Sequence, residues 1–475
     1  MWCGKGTMRA CLLHRWRILV ASVLAVVIAI GVVVGVGLTR STPQSVKEIA
    51  SLAQVLKTKD PVLRQPTQRI QFDQLAASLE ATARSDPGAP YWLAWEWLNK
   101  LALFAKSPHT EVYFFLDSPE VYPLAFTWAA NGLAVSSFPA GRSSFPAYSQ
   151  VVKLGNITPE KMLVHLKSVM AGNSYWVRQL GQFYLSFPYL LHWTGALNSG
   201  DALRMTVKEP SGRVKTVTVQ PSLVAHPGSV LQWLVKQPGK SDHPTSVVQW
   251  LASEVPDFDH YPPAWYVDPS HGYGVFHIYT MSLSQTLTSD LRDFFTTVEK
   301  DDLHRVLFDV RGNAGGNDCV TNAVLAYLPD PSAVSVSGCG AVSPAAPNSV
   351  FHGKVFVAQD WGTASAAVVF SAALSQLPGV TVVGTPAGGS PSGDFGNVMM
   401  FKIKTADSFP VLIGQVGTQQ ACFSWPLPTS SSQPSPLQGG CPLFATFNPK
   451  VLIPMTVTDL RDHIDPVIQW LNSQP

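Results

Sequence analysis

From Tyr273 onward, the sequence alternates between short apolar runs typical of buried strands and longer runs with helical spacing. The strand-like runs lie at 274–278, 305–310 and 355–359, and helix-like runs at 287–299 and 319–328 separate them. Strands joined through helices usually pair in parallel, so this alternation predicts a mainly parallel sheet covered by helices. The second half of the chain is therefore expected to be an α/β domain.

The segment Lys354–Lys402 contains a strand, a tight turn at Trp361–Thr363, a helix of small apolar residues and a second strand. Ser365 lies in the first turn of that helix, where unpaired N–H groups and the helix dipole favour a developing negative charge. A serine in this place can act as a nucleophile. Serine is also an ordinary helix-starting residue, so both interpretations stay open at this point.

A glycine-rich loop follows the strand at 305–310, in the stretch RVLFDVRGNAGG that ends at Gly316. Glycines let the backbone approach a ligand closely and present N–H groups to it. The loop matches neither a dinucleotide fingerprint nor a phosphate loop, so no nucleotide and no other cofactor is assigned. Together, a nucleophilic serine and loop donors would provide what acyl transfer needs: attack on a carbonyl and a place for the oxyanion.

The N-terminus carries basic residues before an uncharged apolar run at 18–39. This pattern predicts a transmembrane anchor with residues 1–17 in the cytosol and the catalytic part outside the cell or in a lumen. Cleavage of the run as a signal peptide would instead give a secreted protein.

A net charge of +2 with 13% charged residues argues against a nucleic-acid partner. The sequence does not set the oligomeric state.

Four cysteines follow the anchor without metal-ligand spacing, and no metal site is predicted. We favour the disulfides Cys319–Cys339 and Cys422–Cys441 because each closes a local loop, with free thiols as the alternative. Asn156 begins a glycosylation sequon, which also fits an extracellular or lumenal location.

Three motifs occur in the order found in the C-terminal processing peptidases, also called tail-specific proteases. They are DVRGNAGG at 309–316, GTASAA at 362–367 and VGTPAGGSP at 383–391. The ending at 449–471 resembles that of the family, and residues 107–110 resemble the histidine segment of its tricorn-like and retinoid-binding-protein-like branches. The chain from about Trp92 to the C-terminus therefore resembles this family.

The resemblance implies an α/β fold with a ClpP/crotonase-like core, a PDZ-like β-rich module and an N-terminal helical cap after the transmembrane helix. The expected segments are a cap at 45–106, core strands carrying the histidine segment at 107–139, the PDZ-like module at 140–222, a linker at 223–263 and the peptidase core at 264–475.

The resemblance also implies a serine endopeptidase acting on unfolded or C-terminal polypeptide segments. Ser365 falls on the nucleophile and His109 on the general base that takes its proton. The backbone N–H group of Ala366, with that of Gly315 or Gly316, would form the oxyanion hole.

The chain also departs from the family pattern. Ser390 stands about where the Ser–Lys branch has its lysine, and no glutamate follows Glu299, whereas the tricorn-like branch uses a late glutamate to orient the histidine. Asn397 occupies the place of an acidic residue in related loops and can hold a neutral imidazole. Asp394 is the competing candidate, and the alternative for both is that they only shape a turn.

These departures keep a second hypothesis open, namely an inactive member of the same fold that binds a peptide or an apolar ligand. A third, weaker hypothesis is an acyl-CoA enzyme of the crotonase type, because an oxyanion site of glycine donors also serves thioesters. Ser365 and the absence of a basic patch for nucleotide phosphates count against the third.

Overall fold

A computed structural model of the chain describes residues 42–86, 88–104, 110–112, 120–137, 144–198, 200–223, 264–330, 334, 339, 350–390, 398–402, 410–414 and 446–475. The predicted anchor at 18–39 and the linker at 223–263, apart from its first residue, lie outside this part of the chain. Among the described residues, no helix combines the length and the hydropathy needed to cross a bilayer.

The described chain begins with three helices, α1 (Thr42–Lys59), α2 (Pro66–Ser85) and α3 (Tyr91–Leu103). A single 3-10 turn at Pro61–Arg64 joins α1 to α2. Proline fits the start of α2 because the first turn of a helix does not use its backbone N–H. The buried faces of the three helices meet in one hydrophobic core that includes Trp95.

The described residues between 111 and 223 form antiparallel strands and three helices. Its elements are β1 (Glu111–Val112), β2 (Glu120–Val121), β3 (Ala125–Ala129), β4 (Gly132–Ser137), β5 (Ser149–Leu154), α4 (Pro159–Lys167), α5 (Ser174–Tyr184), α6 (Pro188–Trp193), β6 (Leu203–Lys208), β7 (Val214–Val219) and β8 (Ser222–Leu223). Strands β3 to β7 pair in sequence order in one antiparallel sheet.

Strands β3 and β4 lie in this sheet. Residues 107–139 were assigned to the core, but β3 and β4 form a hairpin, and β4 pairs with β5 through Ala134 and Gln150. A two-residue turn between β3 and β4 makes this local pairing possible at a small loop-closure cost. Residues 125–137 therefore share one antiparallel sheet with β5, β6 and β7.

The second half of the chain forms the α/β part. Its elements are β9 (Trp265–Asp268), β10 (Tyr273–His277), α7 (Gln285–Lys300), β11 (Arg305–Asp309), α8 (Val320–Leu325), β12 (Lys354–Gln359), α9 (Ala366–Leu374), β13 (Val380–Gly384), β14 (Val398–Lys402), β15 (Pro410–Gly414), β16 (Val451–Leu452), α10 (Val457–Arg461) and α11 (Pro466–Asn472).

The central sheet has the strand order β16-β13-β12-β11-β10-β9, and every neighbouring pair is parallel except β9 with β10. The expected mainly parallel sheet is thus present. Successive side chains point to opposite faces, so Val306 packs with α7, α8 and α9, while Leu307 packs with α11. Both faces are covered, which explains the continuous apolar composition of β11.

The antiparallel unit lies against the carboxyl ends of the parallel strands. The Ala130 N–H donates to the Met455 carbonyl at 2.8 Å, and the Asn173 side-chain amide donates to the Ala387 carbonyl at 3.0 Å. Ligand sites of open α/β sheets form at these carboxyl ends. The fold therefore places the Gly-rich loop and the Ser365 turn at the junction of the two units.

Candidate active site

Ser365 has an unusual backbone conformation at the start of α9. Its φ of 52° and ψ of −129° lie in a region that residues other than glycine rarely adopt. Such a conformation costs on the order of 1–3 kcal/mol and is most often found at functional sites. The Ser365 hydroxyl makes no capping hydrogen bond, so it does not have the role of an ordinary helix-starting serine. This geometry favours the nucleophile interpretation.

Two glycines enclose Ser365 closely. A Cβ on Gly315, which has a φ of 107°, would lie 2.5 Å from the Ser365 Cβ and 2.9 Å from the Ala366 nitrogen. A Cβ on Gly389 would lie 2.6 Å from the Ala364 Cα and 2.9 Å from the Ser365 nitrogen. Only glycine allows these approaches, so the glycines of two separate motifs let their loops close around the serine.

The predicted oxyanion donors differ in availability. The Gly315 N–H already donates to the Asn313 Oδ1 at 2.8 Å. Within the described residues, neither the Gly316 N–H nor the Ala366 N–H donates to a protein acceptor. Of the two glycines considered, Gly316 therefore has the N–H group that is available for a ligand.

Asn313 links the three chain segments that form the site. Its side-chain amide donates to the Ile278 carbonyl at 2.6 Å, and its backbone carbonyl accepts from the Ala364 N–H at 3.0 Å. With the bond from Gly315, this fully buried asparagine connects the end of β10, the Gly-rich loop and the Ser365 turn. Its role is not visible in the sequence, because these partners come together only on folding.

A buried carboxylate joins the same loop and turn. The Asp360 Oδ1 accepts from the backbone N–H of Gly312 at 2.8 Å and of Gly362 at 2.9 Å, and from the Thr363 hydroxyl at 3.2 Å. Burial raises the pKa of Asp360, although these backbone donors oppose the rise. Asp360 thereby fixes the position of the loop relative to the turn.

An ion-pair network anchors the base of the Gly-rich loop. The Arg311 guanidinium forms two hydrogen bonds with Asp309, at 2.9 and 2.7 Å, and two with Asp465, at 3.0 and 2.7 Å. Burial alone would raise the pKa of Asp309, but the charge of Arg311 and hydrogen bonds from Arg311 and His277 hold it below its usual range. Asp465 also caps α11 through the Val467 N–H, so the network connects the loop to the C-terminal helix.

Several predicted site residues lie outside the described part of the chain: His109, Asn397, Asp394, Cys422 and Cys441. Their assigned roles remain predictions. The nearest described neighbour of His109 on its C-terminal side is the segment 110–112, which contains Glu111 in β1.

The remaining predicted residues are described. Cys319 and Cys339 form a disulfide, with their Cα atoms 5.2 Å apart, as the sequence analysis favoured. Asn156 is exposed in the turn after β5, where its side chain donates to the Asn198 Oδ1 at 2.9 Å. Over the described residues, no group of three or more His, Cys, Asp or Glu side chains could hold a metal ion.

Residues 272–401 match peptidase family S41, which confirms the resemblance to the C-terminal processing peptidases. The matched segment contains Ser365 and both glycine loops. None of the curated proteins matches the chain significantly.

Solved structures show the same fold at low sequence identity. Mature CPAF superposes with a TM-score of 0.60 at 11% identity, over 91% of this chain and 96% of that chain. Mature CPAF complexed with lactacystin gives 0.60 at 12% identity, over 91% and 97% of the two chains. The photosystem II D1 C-terminal processing protease aligns over 90% of this chain and 98% of its own with a TM-score of 0.39 at 13% identity. The likeness to CPAF, at a TM-score of 0.60, indicates the fold alone.

Proposed function

We propose that the protein is a serine endopeptidase with Ser365 as its nucleophile, on the premise that residues 272–401 match peptidase family S41. The observation that carries the proposal is the geometry of Ser365. Its hydroxyl is not used for capping, its backbone is strained, and two glycines leave room around it. The substrate class is unfolded or C-terminal polypeptide.

In the proposed reaction, His109 accepts the proton of the Ser365 hydroxyl as the oxygen attacks the scissile carbonyl. The proton then passes to the leaving amine, and water hydrolyses the acyl-enzyme in a second, similar step. Asn397 is proposed to hold the histidine in the correct tautomer, with Asp394 as the competing residue.

The N–H groups of Ala366 and Gly316 are proposed to stabilise the tetrahedral intermediate. Both lack an acceptor within the described chain, and Gly315 packs directly against Ser365 and Ala366. A positioned donor of this kind lowers the barrier by about 3 kcal/mol. Asn313 and Asp360 support these donors by fixing the loop against the turn.

The test compares cleavage of an unstructured protein substrate by the unmodified chain and by Ser365→Ala. We expect the substitution to reduce kcat by as much as ~10⁶-fold, because it removes the nucleophile. The matched control is Ser375→Ala at the other end of α9, where the hydroxyl donates to the Ala372 carbonyl. Equal activity of Ser365→Ala and the unmodified chain would disprove the assignment of Ser365.

The second candidate is an inactive peptide-binding protein of the same fold. It is favoured by two departures from the family pattern: the lysine of the Ser–Lys branch and the late glutamate of the tricorn-like branch are both absent from the sequence. A fluorophosphonate probe distinguishes the two, because it labels only an activated serine. Labelling of the folded chain that is lost in both Ser365→Ala and His109→Ala supports the peptidase. A folded chain that stays unlabelled supports the binding protein.

We also propose the finer architecture and location implied by the sequence. The antiparallel sheet with its helices supports a PDZ-like module, and the parallel sheet supports a ClpP/crotonase-like core. The apolar run at 18–39 would anchor the chain in a membrane, with the peptidase domain outside the cell or in a lumen. Mass spectrometry of the mature N-terminus tests the anchor, since a start near Ser41 would indicate a secreted form.

A further inference from the structure

Arg178 on α5 lies within an aromatic cluster at the junction of the two units. Its guanidinium carbon is 5.5 Å from the ring centre of Trp128, 6.0 Å from that of Tyr175 and 5.4 Å from that of Trp361. Trp128 belongs to β3 and Trp361 to the turn that precedes Ser365. Contacts of this kind stabilise a cation and hold it in one place.

This guanidinium forms no ion pair with an acidic side chain of the described residues. Within the described chain, no Asp or Glu forms an ion pair with Arg178, and its Nε is buried without a hydrogen-bond acceptor. Arg311, by contrast, binds two carboxylates. The planar fork of an arginine matches the geometry of a carboxylate, so Arg178 keeps an unused capacity to bind one.

The surroundings of Arg178 are rich in unused donors. Among the described residues, the buried indole N–H groups of Trp128, Trp176 and Trp361 have no hydrogen-bond partner. The same holds for both polar side-chain atoms of Gln179, which is only 2% exposed. Buried polar groups in proteins are nearly always hydrogen-bonded. Because most of these atoms are donors, the ligand that suits them is an acceptor such as a carboxylate.

The cluster contacts the turn that precedes Ser365 and the loop that contains Gly388 and Gly389. The side-chain nitrogen of Gln179 lies 3.3 Å from the position that a Cβ of Gly362 would occupy. A Cβ on Gly388 would lie 3.0 Å from the Trp176 ring, and the Gly389 N–H donates to the Thr363 carbonyl at 2.9 Å. A polypeptide bound across the Ser365 turn would therefore pass beside this cluster.

We propose that Arg178 binds a carboxylate of the polypeptide substrate next to Ser365 and thereby selects acidic side chains or a free C-terminus. The inference rests on the proposed function, in that the site must accept polypeptide. Arg178 recognises the substrate and takes no part in the chemical step.

Binding is measured on the full chain carrying Ser365→Ala, so that the result does not depend on catalysis. The probes are four dye-labelled peptides of one sequence, which combine Glu or Gln at one internal position with a free or an amidated C-terminus. We expect at least one carboxylate to strengthen binding by about tenfold, the effect of a charge-assisted hydrogen bond. A difference in affinity between the Glu and Gln peptides indicates an acidic side chain, and a difference between the free and amidated peptides indicates the C-terminal carboxylate.

Arg178→Met in the same background removes the charge but keeps an unbranched apolar side chain. We expect it to abolish the carboxylate preference, while Arg204→Met, at an exposed position on β6, leaves the preference unchanged. Where Arg178→Met does not fold, Arg178→Lys keeps the charge without the bidentate fork and is expected to weaken the preference.

Equal binding of all four peptides, or a preference that persists after substitution of Arg178, would overturn the inference. Failure of the proposed function looks different. In that case the chain with Ser365 intact would cleave no peptide, while the carboxylate preference in binding would still be present.

Discussion

Glu111 in β1 provides a quantitative test of the electrostatics beside the histidine segment. It is 6% exposed, and burial raises its pKa from 4.5 to about 7, although the Tyr184 hydroxyl, which donates to it at 2.5 Å, opposes the rise. Between pH 4.5 and 7 the folded chain keeps a proton that the unfolded chain has released. The stability contributed by Glu111 is therefore fully present below pH 4.5 and is lost as the pH rises towards 7.

The perturbation is Glu111→Gln, which is neutral at every pH and keeps an oxygen that can accept from Tyr184. A change of pKa from 4.5 to about 7 corresponds to about 3 kcal/mol, since a tenfold change in an equilibrium is worth about 1.4 kcal/mol. We therefore expect Glu111→Gln to exceed the unmodified chain in unfolding free energy by about 3 kcal/mol at pH 8 and to differ little from it at pH 4.5.

The assay is urea unfolding of the full chain at pH 4.5, 6 and 8, followed by tryptophan fluorescence. The control is Glu160→Gln, at an exposed position in α4, which should change stability by no more than about 0.5 kcal/mol at any pH. Tyr184→Phe removes the hydrogen-bond donor that lowers the pKa of Glu111. The fall in unfolding free energy with rising pH should therefore extend to higher pH in this variant. A difference between Glu111→Gln and the unmodified chain that is the same at all three pH values would refute the reasoning.

Two further predictions concern the loops around Ser365. Asp360→Ala removes the acceptor shared by the Gly312 and Gly362 N–H groups, so we expect kcat for peptide cleavage to fall by about 100-fold while thermal stability shows whether the chain remains folded. Asp360→Asn keeps an oxygen acceptor and should retain more activity than Asp360→Ala, and an unchanged kcat in Asp360→Ala would contradict the positioning role. Replacing Cys319 and Cys339 together by serine opens a loop with a sequence separation of 20 and should lower the unfolding free energy by about 3 kcal/mol. Urea curves of the double-serine variant that coincide with those of the unmodified, oxidised chain would contradict it.

The local pattern of the sequence was sufficient to predict the α/β part. Continuous apolar strands separated by amphipathic helices are buried on both faces, and only a parallel sheet covered by helices accommodates them in this order. The Ser365 helix start and the Gly315-Gly316 loop were found in the same way, because a small residue at a helix start and consecutive glycines are visible locally. The pairing of the β3–β4 hairpin with β5 was not visible in the local pattern, because it joins strands that are separated along the chain.

The roles of Asn313, Asp360 and Arg178 could not be predicted, because each depends on partners that the chain brings together only on folding. Asp465 reaches Arg311 across a sequence separation of 154, and Asn313 donates to Ile278 across 35. No periodicity or spacing encodes such contacts. They arise where the ends of neighbouring parallel strands meet at one edge of the sheet.

The sequence by itself determined the order of strands and helices, the family motifs and the identity of the candidate nucleophile, since these depend on residue type and spacing. Only the tertiary structure decided that the Ser365 hydroxyl is not used in capping and that the Gly315 N–H donates to the Asn313 side chain. It also placed Arg178, which forms no ion pair with any described residue, against Trp361 in the turn before Ser365. Hydrogen-bond satisfaction and ion pairing are properties of neighbours in space, and the chain acquires those neighbours only when its two units pack together.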